Sequence, residues 1–186
     1  MIKKIYILAA VIVLLGQAVL GQGGDSARIM LGYPVYSQYI HNGLMINPAY
    51  AGSREALTAA LSYRMQWMGI DDAPKLQTFS LHTPMKNDKV ALGLNARFMQ
   101  YAITKSSSVY AIYAYHLRLA RGKLSFGLKA GVDMSNTDYN ALQGIDMSDP
   151  VLPPDGRLAY VFPNAGAGIY YFSDKIFAGM AVPSFL

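Results

Sequence analysis

The sequence predicts an all-β protein: an antiparallel transmembrane β-barrel of the outer membrane, with about seven strands present. Hydrophobic residues make up 53% of the 186 residues and charged residues only 15%, against roughly 25% charged in an ordinary soluble domain. Most of the chain after residue 54 alternates apolar and polar side chains, which is the pattern of strands with two different faces. Several of these runs are long enough for a tilted membrane strand of roughly 9–11 residues.

Charge and cysteine content exclude several kinds of site. The net charge is +5 and no run of lysine or arginine occurs, so we predict no nucleic-acid partner. The chain has no cysteine, which excludes both a disulfide framework and a cysteine-ligated metal site.

Residues 1–21 have the pattern of a signal peptide. Lys3 and Lys4 form a basic start and Ile5 to Leu15 is apolar. Val19-Leu20-Gly21 puts small or modest-sized residues at the two positions that matter before a cleavage, which we place after Gly21. The apolar run is short for a membrane span, which needs roughly 20 residues. We therefore predict export, and a retained anchor helix is the alternative.

Residues 22–53 are predicted to be a periplasmic lead-in or plug segment. Its first part is polar and glycine-rich, and residues 37–53 read SQYIHNGLMINPAYAGS. Asn47-Pro48 interrupts any strand, because proline has no N–H to donate and restricts the residue before it. Ala51-Gly52-Ser53 predicts a turn. The segment would fix where the first strand begins.

Residues 54–186 are predicted to form the barrel strands. In residues 57–67 the odd positions are apolar and would face lipid, while Arg64 and Gln66 share the polar, inward face. Further runs occupy about 75–85, 90–99, 108–119, 124–135, 165–172 and 176–182. Residues 136–164 contain four prolines and four aspartates, which predicts a long outer loop.

The order of the connections predicts the orientation. Tight turns are expected after strands two, four and six, and longer connections after one, three and five, the third spanning Ile103 to Ser107. Transmembrane barrels have short periplasmic turns and longer outer loops. Together with the signal peptide, this order predicts a periplasmic N-terminus.

The inward charged residues favour a hydrated or plugged lumen over a soluble sandwich. In a dry core each charge would cost several kcal/mol unless it were paired. These residues are Arg64, Arg97, Arg118, Lys129 and Asp133.

The sequence predicts about seven strands, an odd number that is unusual for a closed barrel. Bacterial single-chain barrels have even strand numbers, and an open sheet in lipid would leave two unpaired edges. We therefore expect this chain to be the N-terminal part of a larger barrel, with the C-terminal part missing, or to close with other chains.

Several motifs resemble the PorP/SprF family of Bacteroidota outer-membrane proteins, which is associated with type IX secretion and gliding motility. They are Tyr36-Ser37-Gln38-Tyr39, MINPAYAGS at 45–53, Tyr63-Arg64-Met65-Gln66-Trp67, Ala73-Pro74, His82-Thr83-Pro84, Leu124 to Leu128 and Asn164 to Gly168. The resemblance covers essentially the whole mature chain. This chain departs from the family at Gly32 to Val35, where an acidic, Phe-bearing motif is usual, and family members continue with further strands.

The resemblance implies a non-enzymatic protein that assists export or surface attachment of large cargo such as adhesins. Its implied partners are outer-membrane lipids, type IX secretion components and the secreted cargo. The alternative is a general porin-like channel. An outer-membrane enzyme is a third hypothesis, but it would need a clustered nucleophile and base, which the sequence does not offer.

The candidate site consists of motif residues rather than catalytic ones. We predict no catalytic, cofactor or metal site, because His41, His82 and His116 are scattered and the acidic residues after 136 lack calcium-loop spacing. We hypothesise that Arg64 and Gln66 contact Tyr39 and Tyr50 between plug and wall, and that Trp67 belongs to an aromatic girdle. The motif residues are Ser37, Gln38, Tyr39, Asn47, Pro48, Ala49, Tyr50, Ala51, Gly52, Arg64, Gln66 and Trp67.

Overall fold

Seven antiparallel strands form one sheet in the computed structural model, which describes residues 41–85, 88–141, 155–173 and 175–185. Each strand pairs with the next along the chain, in the order β1 to β7. The bounds are β1 Thr58–Met65, β2 Lys75–Pro84, β3 Val90–Tyr101, β4 Thr104–Leu119, β5 Gly122–Asp138, β6 Arg157–Phe172 and β7 Phe177–Val182. The predicted all-β class is therefore confirmed.

The remaining regular structure is small. Short 3-10 helices occur at Gly43–Met45, Pro48–Tyr50 and Tyr139–Ala141. Among the described residues, none of the helices has the length and apolar character needed to cross a membrane. The predicted signal peptide and the lead-in as far as residue 40 lie outside the described residues.

The two faces of the sheet differ as the alternation predicts. In β4, Tyr110, Ile112 and Ala114 are at most 6% exposed, whereas Tyr113 and Tyr115 on the other face are 46% and 39% exposed. The same outer face carries large apolar side chains along the other strands, for example Leu61, which is 81% exposed. The sheet therefore has a packed inner face and an apolar outer face.

The inner face curls around the chain segment that precedes β1. We call residues 42–53 the strap. Leu44 and Ala51 of the strap pack against Ala91 of β3 and against Ile112 of β4, with Tyr50 at the edge of this cluster. The 3-10 helix Pro48–Tyr50 contacts β4, β5 and β6. The strap and the sheet together form a curled half-barrel with its concave side occupied.

The predicted connection between the third and fourth strands is wrong. Instead of Ile103 to Ser107, only Ala102 and Ile103 separate β3 from β4, with Ala102 in the left-handed region at φ 45°. The serine-rich start of β4 continues the alternation, and Ser106 pairs across from Ser135 of β5. Polar residues at a strand end suit the part of a barrel that extends beyond the apolar band. Long connections therefore follow only β1 and β5.

The predicted outer loop at 136–164 is also too long. β5 continues to Asp138 and β6 begins at Arg157, so Pro163 lies inside a strand, opposite Val132. β7 covers β6 only from Ala167 onward. Pro163 thus occupies a strand edge, where a missing N–H is tolerated.

Candidate functional site

Asn47 joins the strap to the last two strands. Its side-chain oxygen accepts a hydrogen bond from the Ala49 amide at 2.9 Å, which caps the short helix that Pro48 begins. Its side-chain nitrogen donates to the Ile169 carbonyl of β6 at 2.9 Å and, at 3.5 Å, to the Met180 carbonyl of β7. One buried amide therefore shapes the strap and holds it against the wall.

Glycines in β5 and β6 provide the space that the strap occupies. A Cβ atom at Gly127 would overlap the backbone of Pro48 and Ala49. A Cβ atom at Gly168 would overlap the side-chain oxygen of Asn47. Because these atoms belong to a backbone and a capped amide, they cannot rotate away. The two glycines explain why the strap can lie directly on the strands.

Both ends of the strap are held by β2. The Gly52 amide donates to Nδ1 of His82 at 3.1 Å, so that nitrogen carries no proton. Gly52 adopts φ 74°, and a Cβ there would lie 2.5 Å from the Ala91 Cβ. The Tyr50 ring packs edge-on against His82, with centroids 5.8 Å apart. A further bond runs from the Ser80 hydroxyl to Asn42 at 2.9 Å.

The described motif residues fall into two separate groups, one in the strap and one at the end of β1. Asn47, Pro48, Ala49, Tyr50, Ala51 and Gly52 all belong to the strap on the inner face, whereas Ser37, Gln38 and Tyr39 lie outside the described residues.

Arg64 does not lie near Tyr50. The Tyr50 ring lies beside His82, and His82 pairs with Thr58 at the start of β1. Arg64 is six residues further along β1, a distance of roughly 20 Å at the usual rise of a strand. Tyr50 instead accepts a hydrogen bond from Nε of Arg54 at 3.2 Å. Arg64 is beside Gln66, whose side-chain oxygen accepts from Nε at 3.0 Å when the amide is turned to face the guanidinium.

Trp67 follows the end of β1. It adopts φ 52° and is 67% exposed. The Ile70 amide donates to its carbonyl at 3.1 Å, which closes a turn in the connection to β2. Trp67 is therefore at a strand end, where the hypothesis of an aromatic girdle places it.

A second cluster lies on the inner face, nearer the β3–β4 turn. The sequence predicts only part of it. Arg97 forms an ion pair with Asp133 at 3.5 Å and donates to Ser108 at 2.7 Å. Asp133 also accepts from the Tyr110 hydroxyl and, at 2.8 Å, from Asn164. The inward charges had been predicted, but Tyr110 and Asn164 had not, since a tyrosine or asparagine on a strand gives no signal of its partner.

Ion pairs mark the opposite end, near the β4–β5 turn. The Lys123 ammonium hydrogen-bonds the Glu55 carboxylate just after the strap, and Arg118 pairs with Asp88 at 3.2 Å. The hydrogen bond and charge of Lys123 lower the pKa of Glu55, with a smaller contribution from Arg118. Burial opposes this shift only weakly because Glu55 is mostly exposed. In the described part of the chain, no three His, Asp or Glu side chains converge as metal ligands would.

A known protein family matches the part of the chain that contains these features. The family model described as type IX secretion system membrane protein PorP/SprF matches residues 30–186. This range contains the strap and every strand of the sheet. No curated protein and no solved structure matches the chain. The chain therefore belongs to the PorP/SprF family of type IX secretion system membrane proteins.

Proposed function

We propose that this protein is a non-enzymatic component of the type IX secretion and gliding machinery in the outer membrane of a Gram-negative bacterium. The sheet is part of the wall of a barrel. The outer face of the sheet contacts lipid, and the strap lies in the lumen. The protein assists the export or surface attachment of a large cargo protein such as an adhesin. Its partners are outer-membrane lipids, other secretion components and the cargo.

The observation that carries this proposal is the occupied inner face. Leu44, Asn47 and Ala49 are each at most 7% exposed, and Asn47 bonds to two strands at once. A general diffusion channel needs an open, water-filled lumen. A strap held by buried hydrogen bonds favours an accessory role in secretion over the porin alternative.

The outer face supports the membrane location. Leu61, Leu128 and Val161 are 81%, 60% and 66% exposed, which is unusual for a water-facing sheet but normal for a lipid-facing one. Membership of a secretion-system membrane family agrees with this location.

A periplasmic N-terminus is proposed from the position of the strap. The strap is followed by Arg54 and Glu55, and the Glu55–Lys123 contact places this point beside the short β4–β5 turn. The longer connections, at residues 66–74 and 139–156, follow β1 and β5 at the opposite end. In outer-membrane barrels the short turns are periplasmic.

Cargo location tests the proposal. In a strain that lacks the gene, we expect the cargo adhesin to accumulate in the periplasm or be shed, and the wild-type gene should restore it to the surface. Unchanged surface cargo, measured by protease shaving of whole cells, would contradict the proposal. Planar-bilayer recordings separate the alternative: we expect little steady conductance, whereas stable open channels would favour a porin.

A further inference from the structure

A cleft of about 380 Å³ opens where the strap leaves the sheet. It lies between the end of the strap, the start of β5 and the end of β6. Its lining includes Arg54, Lys123, Phe172 and Ser173. Two cationic groups, a hydroxyl and an aromatic ring therefore face one opening, outside the contacts that hold the strap.

A carboxylate of the chain itself already occupies this cleft. The Lys123 side chain is only 21% exposed and hydrogen-bonds Glu55, whose own side chain is 59% exposed. Glu55 adopts φ 56°, a left-handed conformation that is unfavourable for a residue with a Cβ atom. The Lys123 side chain is therefore the more buried partner, and the exposed Glu55 side chain is the one that can move away.

One polar atom in the lining of the cleft lacks a partner. The hydroxyl of Ser53 is shielded from solvent and makes no hydrogen bond. Because buried polar groups are nearly always hydrogen-bonded, this hydroxyl is available to a polar ligand in the cleft.

The surrounding charge is positive. At this end the described residues include six basic side chains and two acidic ones, a balance of +4, and both acidic residues are already paired. The basic residues are Arg54, Lys89, Arg118, Arg121, Lys123 and Lys175. Such a field attracts a ligand with several negative charges.

We propose that the cleft binds an acidic segment of a partner polypeptide, with the Lys123 ammonium as the anchor for one of its carboxylates. Glu55 is an internal competitor that covers Lys123 until the partner displaces it, and Arg54 is a second cationic contact. The ligand is assigned as a carboxylate because a carboxylate fills this place in the structure. The inference rests on the proposed function only in taking the partner to be a protein of the secretion machinery.

Peptide binding to the purified full-length chain tests this inference. The probe is a fluorescein-labelled peptide with six aspartates, compared by anisotropy with the same peptide carrying six asparagines. We expect Lys123→Gln to weaken binding about tenfold, as for loss of a charge-assisted contact. We expect Glu55→Gln to tighten it about fivefold, because the competitor loses its charge.

Asp88→Asn is the matched control. It removes the same charge from the other paired acid at this end, so a general electrostatic effect would change binding equally in Asp88→Asn and Glu55→Gln. Equal effects would overturn the inference, as would unchanged binding in Lys123→Gln. The Glu55 side chain is mostly exposed, so the Glu55→Gln variant is expected to fold and its binding can be compared directly with that of the wild type.

Competing ligands test the assignment of a carboxylate. Excess inorganic phosphate at constant ionic strength should displace the aspartate probe poorly, and displacement equal to that by free hexa-aspartate would overturn the assignment. Failure of peptide binding would remove this inference alone, whereas unchanged cargo in the deletion strain would remove the proposed function alone.

Discussion

Replacing Gly127 by alanine would test how the strap is held. The added Cβ would overlap the backbone of Pro48 and Ala49, so the strap must move. Overpacking of this kind costs about 1–3 kcal/mol, and moving Asn47 from the Ile169 carbonyl forfeits a hydrogen bond of about 0.5–1.5 kcal/mol. We expect the docked strap to lose about 2–4 kcal/mol, or about 30- to 1,000-fold in its docking equilibrium.

Thiol labelling can measure this loss because the chain contains no cysteine. A cysteine at position 45, where Met45 is 7% exposed, should react slowly with a maleimide when the strap is docked. Labelling through transient opening follows the docking equilibrium, so Gly127→Ala should accelerate it by the same factor. Gly131→Ala is the control, because its Cβ would meet Val109 and Tyr110 of the sheet rather than the strap. Equal acceleration in both variants, or none in Gly127→Ala, would refute the reasoning.

Three other perturbations test separate parts of the account. Asn47→Ala should lower stability by about 1–2 kcal/mol in thermal melts, since the cap and the bonds to β6 and β7 are lost together; an unchanged melt would contradict it. Leu61→Arg on the outer face should cost up to about 2–4 kcal/mol in lipid vesicles, and more than Ser62→Arg on the opposite face; equal costs would argue against a lipid-facing side. Lys123 lowers the pKa of Glu55 in the folded state below its ordinary value of 4.5. The pair therefore stabilises the folded state above pH 4.5, and this contribution is lost as the pH falls through the pKa that Glu55 has in the folded state. Glu55→Gln should remove that part of the pH dependence of the melting temperature. Identical pH profiles for Glu55→Gln and the wild type would contradict the role assigned to this pair.

The faces of the strands could be predicted because alternation is a local property of the chain. The alternation predicts that Arg97 and Asp133 point inward, and both lie on the packed face. The same reasoning placed Leu61 outward, where it is 81% exposed.

The ends of the strands could not be predicted as well. Beyond the apolar band the alternation has no hydrophobic contrast, so the sequence predicts a loop where the serine-rich start of β4 lies. Proline predicts the end of a strand, but Pro163 lies on an edge of β6 that β7 leaves uncovered. The alternation of apolar and polar residues therefore predicts the apolar part of a strand better than its polar extension.

The partners of the strap depend on long-range pairing. Asn47 bonds to residues that follow it by 122 and 133 positions, and no local pattern identifies such a contact. The hypothesis that joins Tyr50 to Arg64 rests on the inward face of Arg64 and on the pairing of two motifs. In the structure Tyr50 lies instead beside His82 and Tyr170.

The central claim is that the sheet is a membrane wall with lipid outside and the strap inside. A spin-label scan of β4 from Ser108 to Leu117, in protein reconstituted into lipid vesicles, tests it most directly. We expect accessibility to oxygen to peak at the odd positions from Val109 onward, with the even positions shielded from both oxygen and a water-soluble nickel complex, because the exposed and buried residues alternate there. High nickel accessibility at the odd positions would contradict the claim, because it would show that this face is in contact with water.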